Sequence, residues 1–375
     1  MKFIIVGAGL SGSTCARLLA EWGNKVLVVE CRNHVAGNCY DAYHTISENK
    51  SVPYHAYGPH FFHTNNEEVF NFLNKFSHGV IPYQHKAKIQ LQDFITNFPP
   101  MPSILEQLGV DKNMLPMYSP DFNEEAVFNK SKNAEDYLLN TIGQKLCDTI
   151  YRVYTERHWN KPLNEVPAFI VRRVKLSDHD GYFKDKYQCL PLIGYTSFVK
   201  NVLDHENIDL LLGFDFLKHR SELDLKNVQI VYTGKVDAYF DYMYGQLEYV
   251  SVKTVKKIER VEHQLSGNSV QLNFGIPIRY SRVISYSKLR NIYPDGKELL
   301  VYEEPIHGLN KDTADSFVGY PLPTENNMKM LQLYFEAANK INNLTLVGRL
   351  AEYRYMNMDQ TIENAMKICD KWKPK

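Results

Sequence analysis

Apolar residues fall in blocks along this chain, and the spacing inside each block predicts an element. Phe3, Ile4, Ile5 and Val6 form an unbroken apolar run, the pattern of a strand buried on both faces. After a glycine turn, Cys15, Ala16, Leu18 and Leu19 make the packing face of a helix, and Val26 to Val29 form a second strand that ends at Glu30. Asn65 and Asn66 precede Glu67 and Glu68, the signature of a helix start, with Val69, Phe72, Leu73 and Phe76 turned inward. The clearest helix runs from about Ala134 to Tyr151, with Tyr137, Leu138, Thr141, Ile142, Leu146 and Ile150 on one side. Gly194 to His205 reads as a helix, and Val228 to Tyr232 as a strand ending at Thr233 and Gly234. Residues 247–290 alternate apolar and polar positions and are rich in valine, which predicts an antiparallel sheet. Leu344 to Val347 is a last buried strand before Gly348, and a helix from about Asp359 to Trp372 closes the order.

The first block carries chemistry. Gly7, Gly9 and Gly12 occupy the fixed positions of G-x-G-x-x-G between a strand and a helix. The first glycine permits the tight turn, the second lets a pyrophosphate approach the backbone, and the third lets helix and sheet pack closely. Free N–H groups at the helix start hold phosphate. Glu30, at the end of the second strand, is placed to accept hydrogen bonds from an adenosine ribose. The expected fold class is therefore α/β, a Rossmann-like dinucleotide-binding domain interrupted by an inserted helical domain and an antiparallel β-sheet domain. The nucleotide-binding unit takes residues 1–79, about 190–240 and 325–375. The helical unit takes 80–170, after a proline-broken stretch near Pro99, Pro100 and Pro102. Residues 171–189, with Asp178, Asp180 and Gly181, read as a mobile polar loop, and 241–324 as the sheet unit.

Composition narrows the partners. Lys+Arg and Asp+Glu balance at 43 each and no long basic run occurs, so nucleic acid and anionic membrane are not expected partners. Any anionic ligand must be held by a few local arginines. The motif begins at residue 3 and no apolar run is long enough to span a bilayer, which makes a cytoplasmic protein the expectation. The six cysteines form no C-x-x-C and read as reduced thiols. His60 and His63 make an H-x-x-H without an acid-rich cluster beside it, so no metal is expected. The 25 tyrosines suit a protein that stacks on rings and binds oxygen-rich ligands, although tyrosine is also an ordinary packing residue.

Several further blocks, in order, resemble the UDP-galactopyranose mutase family: GNCYD, YGPHFFHT, YTERHW, EVPAFIVRR followed by GYF, LPLIGYTSFVKNVLDHENI, YTGKVDAYFDYMYGQLEY, RYSR and VGRLAEYRYMNMDQTIENA. Residues 88–133 match poorly. The resemblance implies a non-covalently bound FAD that works in its reduced form, with NAD(P)H or dithionite as reductant. It implies that flavin N5 attacks the anomeric carbon of a nucleotide-linked galactose as UDP departs, giving an N5–sugar adduct through which pyranose and furanose interconvert. The furanose would supply surface glycans. Around the FAD pyrophosphate the resemblance puts Gly7, Gly9, Ser11 and Gly12, with Glu30 on the ribose. Asn38, His60 and Phe61 match cofactor-contacting positions, as do Arg349 and the run Met356, Asn357, Met358, Asp359, Gln360 and Thr361. Tyr154, Thr155 and Trp159 match the block that grips uracil. Arg173 and Arg282 match the two diphosphate arginines, and Tyr182, Tyr320 and Tyr355 the phosphate-binding tyrosines. His63 falls close to the flavin, and Asn273 at a sugar contact. The partner implied is a nucleotide sugar, and a homodimer is consistent with the resemblance.

Four departures bear on the ligand. His85 stands in the substrate pocket where an asparagine is usual, and Ile150 and Tyr151 replace a Phe-Phe pair beside the base. Asn357 replaces an aspartate, and the residues after Arg282 run Val-Ile-Ser-Tyr without the usual glutamate. A mutase acting on a dTDP-linked deoxy sugar or on UDP-N-acetylgalactosamine is therefore an alternative. So are a flavin oxidoreductase of the amine-oxidase type and a non-catalytic flavin binder.

Overall fold

The computed structural model describes residues 2–174, 176, 181–261, 269–306 and 316–374. Asp178 and Asp180 of the expected mobile loop lie outside the described residues.

The first apolar run forms the strand Lys2–Val6, which pairs in parallel with Lys25–Glu30 on one side and Val228–Tyr232 on the other. Ile208–Leu212 and Leu344–Leu346 complete a five-stranded parallel sheet in the order 208–212, 25–30, 2–6, 228–232, 344–346. Helices Leu10–Glu21, Gly194–Leu203 and Met358–Cys369 share one core against this sheet, built from residues such as Leu19, Phe198 and Ile362. Phe216, Tyr232 and Tyr239 form the core on the opposite side. Helix Glu67–Phe76 starts where its acidic first turn predicts, with the Asn66 side chain accepting hydrogen bonds from the N–H groups of Glu68 and Val69.

A second sheet has seven strands in the order Ser316–Pro321, Tyr249–Arg260, Lys297–Ile306, Arg282–Ser285, Gln271–Phe274, Ala87–Gln90 and Ile95–Phe98. All neighbours are antiparallel except Gln271–Phe274 with Ala87–Gln90. Residues 80–98, expected in the helical unit, thus carry short strands and no helix. Val80–Pro82 joins a small sheet with Phe62–Thr64 and Tyr187–Pro191, and the 87–98 hairpin extends the large sheet, with Ala87 and Ile89 buried. The alternation of Ala87, Lys88, Ile89 and Gln90 carries this signal, but it is short enough to be lost beside the prolines. The expected sheet over 247–290 is interrupted by a short helix before it continues with Lys297–Ile306. Ser285 caps a helix, Tyr286–Arg290, by accepting from the Lys288 N–H at 3.2 Å.

The long helix expected from 134 to 151 is broken. Ala134–Leu146 carries Gly143 at φ +74°, a left-handed value that kinks it, and a wider π-helical turn over Cys147–Arg152 leads into Val153–Trp159. The extra width turns Ile150 and Tyr151 fully into the core of the helical region.

Candidate active site

The carboxyl ends of the parallel strands open on a crevice of about 430 Å³. Gly7 lines it at φ +110°, and a Cβ there would lie 2.1 Å from Thr233 Oγ1. Gly12 does not line it. It packs beneath the turn, where a Cβ would stand 1.9 Å from the Gly7 carbonyl oxygen. Gly9 differs from both, because its Cβ would meet only the Gly37 Cα, at 3.7 Å, and its open side faces the crevice. Ser11 also lines the wall. The Glu30 carboxylate accepts from the Ala8 N–H and the Arg32 N–H, both at 2.9 Å. Arg32 donates to Asn38 Oδ1 at 2.9 Å, and Asn38 donates to the Val318 carbonyl at 3.2 Å. That bond ties the glycine-rich side of the crevice to the edge of the seven-stranded sheet.

The far end is lined by His60, Arg349, Met358 and Thr361. His60 Nδ1 is buried without a hydrogen-bond partner, and burial, helped by Arg349, holds the imidazole down at about 3. Arg349 donates to the Met356 carbonyl through Nε at 3.1 Å and again through Nη2. Helix Met358–Cys369 begins here. Asn357 caps it, and Gln360 Oε1 accepts from the Asn357 N–H at 2.9 Å, a capping box. The side chains of Asn357 and Gln360 are therefore occupied in starting the helix. Phe61 is not among the crevice's lining residues; its ring stacks on His85 at 3.8 Å. Asp359 is half-buried, and burial pushes its carboxyl up.

A second wall forms where the helical region meets the large sheet. Tyr320 and Tyr355 stack 5.3 Å apart, and the Arg349 guanidinium lies 5.1 and 5.6 Å from their ring centres. Arg173, exposed at the rim, donates to the Tyr355 hydroxyl. Burial raises the Tyr355 phenol, but Arg173, Arg349 and Arg282 outweigh it, so the net shift is downward. Tyr154 meets Phe98 edge-on at 5.6 Å, Trp159 is buried 6.3 Å from Tyr320, and Tyr182 lies 6.3 Å from Phe98. Thr155 is buried on the same helix as Tyr154 and Trp159. The structure therefore brings Arg173, Arg282, Tyr154, Trp159, Tyr182, Tyr320 and Tyr355 to one wall.

The glutamate missing after Arg282 has a counterpart across the strands. Arg282 Nε donates to Glu303 Oε2 at 2.7 Å, and strand register sets Asn273, Arg282 and Glu303 side by side. Sequence reading missed Glu303; its one signal was a glutamate following the apolar run of Leu299, Leu300, Val301 and Tyr302. Asn273 is fully buried, with Oδ1 accepting from Gln271 at 2.9 Å and Nδ2 unpartnered. His85 is 2% exposed, its Nδ1 lies 3.2 Å from the Tyr83 hydroxyl, and burial, partly offset by Gln271, holds the ring at about 3. His63 stands apart from the crevice lining. Its Nδ1 meets Asp185 at 2.8 Å and Phe183 covers its ring at 3.7 Å. Among the described residues no cluster of three or more His, Cys, Asp or Glu could hold a metal, and no helix is long and apolar enough to cross a membrane.

Comparison with known proteins gives the family and the fold. A family model described as UDP-galactopyranose mutase matches residues 149–355, more than half of the chain, and an NAD(P)-binding Rossmann-like model matches 5–76. A probable UDP-galactopyranose mutase of Klebsiella pneumoniae is 31% identical, with 99% of this chain and 94% of that protein covered. A dTDP-fucopyranose mutase of Escherichia coli is 30% identical, with 98% and 97% covered. The crystal structure of a reduced UDP-galactopyranose mutase superposes with a TM-score of 0.73 at 14% identity, covering 99% of this chain and 95% of that one. The fold and site define a flavoprotein isomerase of the mutase class on a Rossmann-like core. The chain belongs to the UDP-galactopyranose mutase family.

Two expectations follow. Gly9→Val should fold but purify without flavin, because the valine side chain enters the open side of the crevice; Gly12→Ala should instead lower stability by about 2 kcal/mol through overpacking. Absorbance at the flavin band and denaturant midpoints separate the two. His85 sets the second. Its folded value of about 3 lies below the ordinary 6.5, so the unfolded chain binds the extra proton and stability falls as pH drops. Between pH 7 and pH 5 this group should cost about 2 kcal/mol, and His85→Asn should flatten the profile of denaturant midpoint against pH by about that much.

Proposed function

We propose that this protein interconverts UDP-galactopyranose and UDP-galactofuranose with reduced FAD, and that the furanose serves surface glycans. The observation that carries this reading is the convergence of Arg173, Arg282 and Arg349 on the Tyr320–Tyr355 pair beside the dinucleotide crevice. An aromatic and cationic wall of this kind suits a nucleoside diphosphate.

The crevice fits FAD. Gly9 leaves space where a pyrophosphate must approach, Glu30 ends the strand at the ribose position, and His60 Nδ1 awaits a partner. Gly7, Gly9, Ser11, Glu30 and Asn38 would hold the nucleotide half. His60, Arg349 and the first turn of Met358–Cys369 would hold the flavin half. Bound and reduced, the cofactor supplies an electron-rich N5 as nucleophile for the anomeric carbon. The chain's own side chains do the rest. Tyr154 and Trp159 hold the base. Arg173 and Arg282 bind diphosphate oxygens and stabilise the charge that grows on the leaving group. Glu303 keeps the Arg282 guanidinium in one orientation. Asn273 Nδ2 offers a donor to a sugar oxygen.

A dTDP-linked deoxy sugar is the second reading, favoured by the 30% identity to a dTDP-fucopyranose mutase and by His85, which is bulkier than the usual asparagine. Incubating the dithionite-reduced protein with UDP- and dTDP-linked pyranoses and furanoses, followed by chromatography, decides between the two. A colourless protein that refuses FAD, or equal turnover with oxidised flavin, would refute both. Arg173→Ala should keep its flavin and lose about 10²–10³-fold in kcat, as for loss of one donor to a developing charge. Full kcat in this variant would remove Arg173 from the diphosphate clamp.

A further inference from the structure

We infer that Arg157 is a positioning residue that locks the base-binding helix Val153–Trp159 to the strand connection bearing the sugar and diphosphate groups; the inference rests on the nucleotide-sugar reading above. Arg157 lies one turn beyond Tyr154 on that helix. Its Nη1 donates to the carbonyls of Ile276 at 2.6 Å and Ile278 at 2.5 Å, and its Nη2 to the carbonyl of Phe274. These carbonyls come from the end of strand Gln271–Phe274 and from the turn between it and Arg282–Ser285. Asn273 immediately precedes the bridged segment and Arg282 closely follows it. One planar guanidinium therefore spans a turn whose two ends carry the sugar-side donor and the clamp arginine.

The pattern differs from that of the other arginines nearby. Arg152 meets Glu135, Asp148 and Glu156; Arg172 meets Glu124 and Glu125; Arg282 meets Glu303. Arg157 takes backbone carbonyls alone as its hydrogen-bond partners among the described residues. A fork of donors on three carbonyls is a geometric device. It sets the distance between two segments that contribute to one wall, and a lysine ammonium, a single point, cannot bridge all three in one plane. The base is bound on one segment and the diphosphate on the other, so loosening the joint should weaken ground-state binding of the whole nucleotide more than the chemical step.

The test uses the FAD-loaded, reduced enzyme with Arg157→Gln and Arg157→Lys. We expect KM for UDP-galactose and Kd for UDP to rise roughly tenfold, with kcat within about twofold of wild type. Flavin content and thermal midpoint of the lysine variant should match wild type, and if the glutamine variant fails to fold, the lysine variant carries the test. Unchanged UDP affinity in a folded variant overturns the inference. So does a joint fall in kcat, flavin content and thermal midpoint, which marks a merely structural role. If wild type itself binds no UDP, the nucleotide-sugar reading falls first. Wild-type binding with no loss in the variants overturns Arg157 alone.

Discussion

Three guanidinium groups converge on one pair of stacked tyrosines, and holding them together against their mutual repulsion is the constraint on which the site depends. Each charge repels the others, and partial burial strips water from Arg282 and Arg349. Each is held in a different way. Arg282 has the buried carboxylate of Glu303, Arg349 has the Met356 carbonyl, and Arg173 has the Tyr355 hydroxyl. The arrangement remains net positive, and the downward shift of the Tyr355 phenol registers that field. That field favours an anion over a neutral or cationic group at this wall.

The two parts of the site differ in how they are made. The crevice uses the turn after the first strand and the ends of parallel strands, so much of it follows from one βαβ unit and its partners. The cationic wall draws on Tyr154, Arg173, Arg282, Glu303, Tyr320 and Tyr355, which are far apart in the chain. It exists only after the helical region has docked on the large sheet.

The same difference decides what the sequence made legible. Phe3 to Val6, the glycines and Glu30 are local signals, and the structure sets them at the crevice with Gly12 beneath the turn. Asn66 was readable as a cap for the same reason. The 87–98 hairpin was not, because its partner strand lies at 271–274, and pairing across that distance leaves only four alternating residues as a trace. Gly143 hides the kink inside a continuous apolar stripe. Glu303 became visible as the partner of Arg282 only once strand register was known. The arginines were singled out through family resemblance and not through spacing, since an isolated arginine in a sequence is indistinguishable from a solvated surface charge.

Arg349 belongs to both halves. It lines the crevice and also covers the rings of Tyr320 and Tyr355. Its guanidinium is pinned by a backbone carbonyl and has little freedom to swing away from either side. A change of charge in one compartment therefore alters the free energy of occupying the other, and the dependence runs equally in both directions. Coulomb's law sets the sign: negative charge on one side of Arg349 partly satisfies it, and the other side then attracts an anion less.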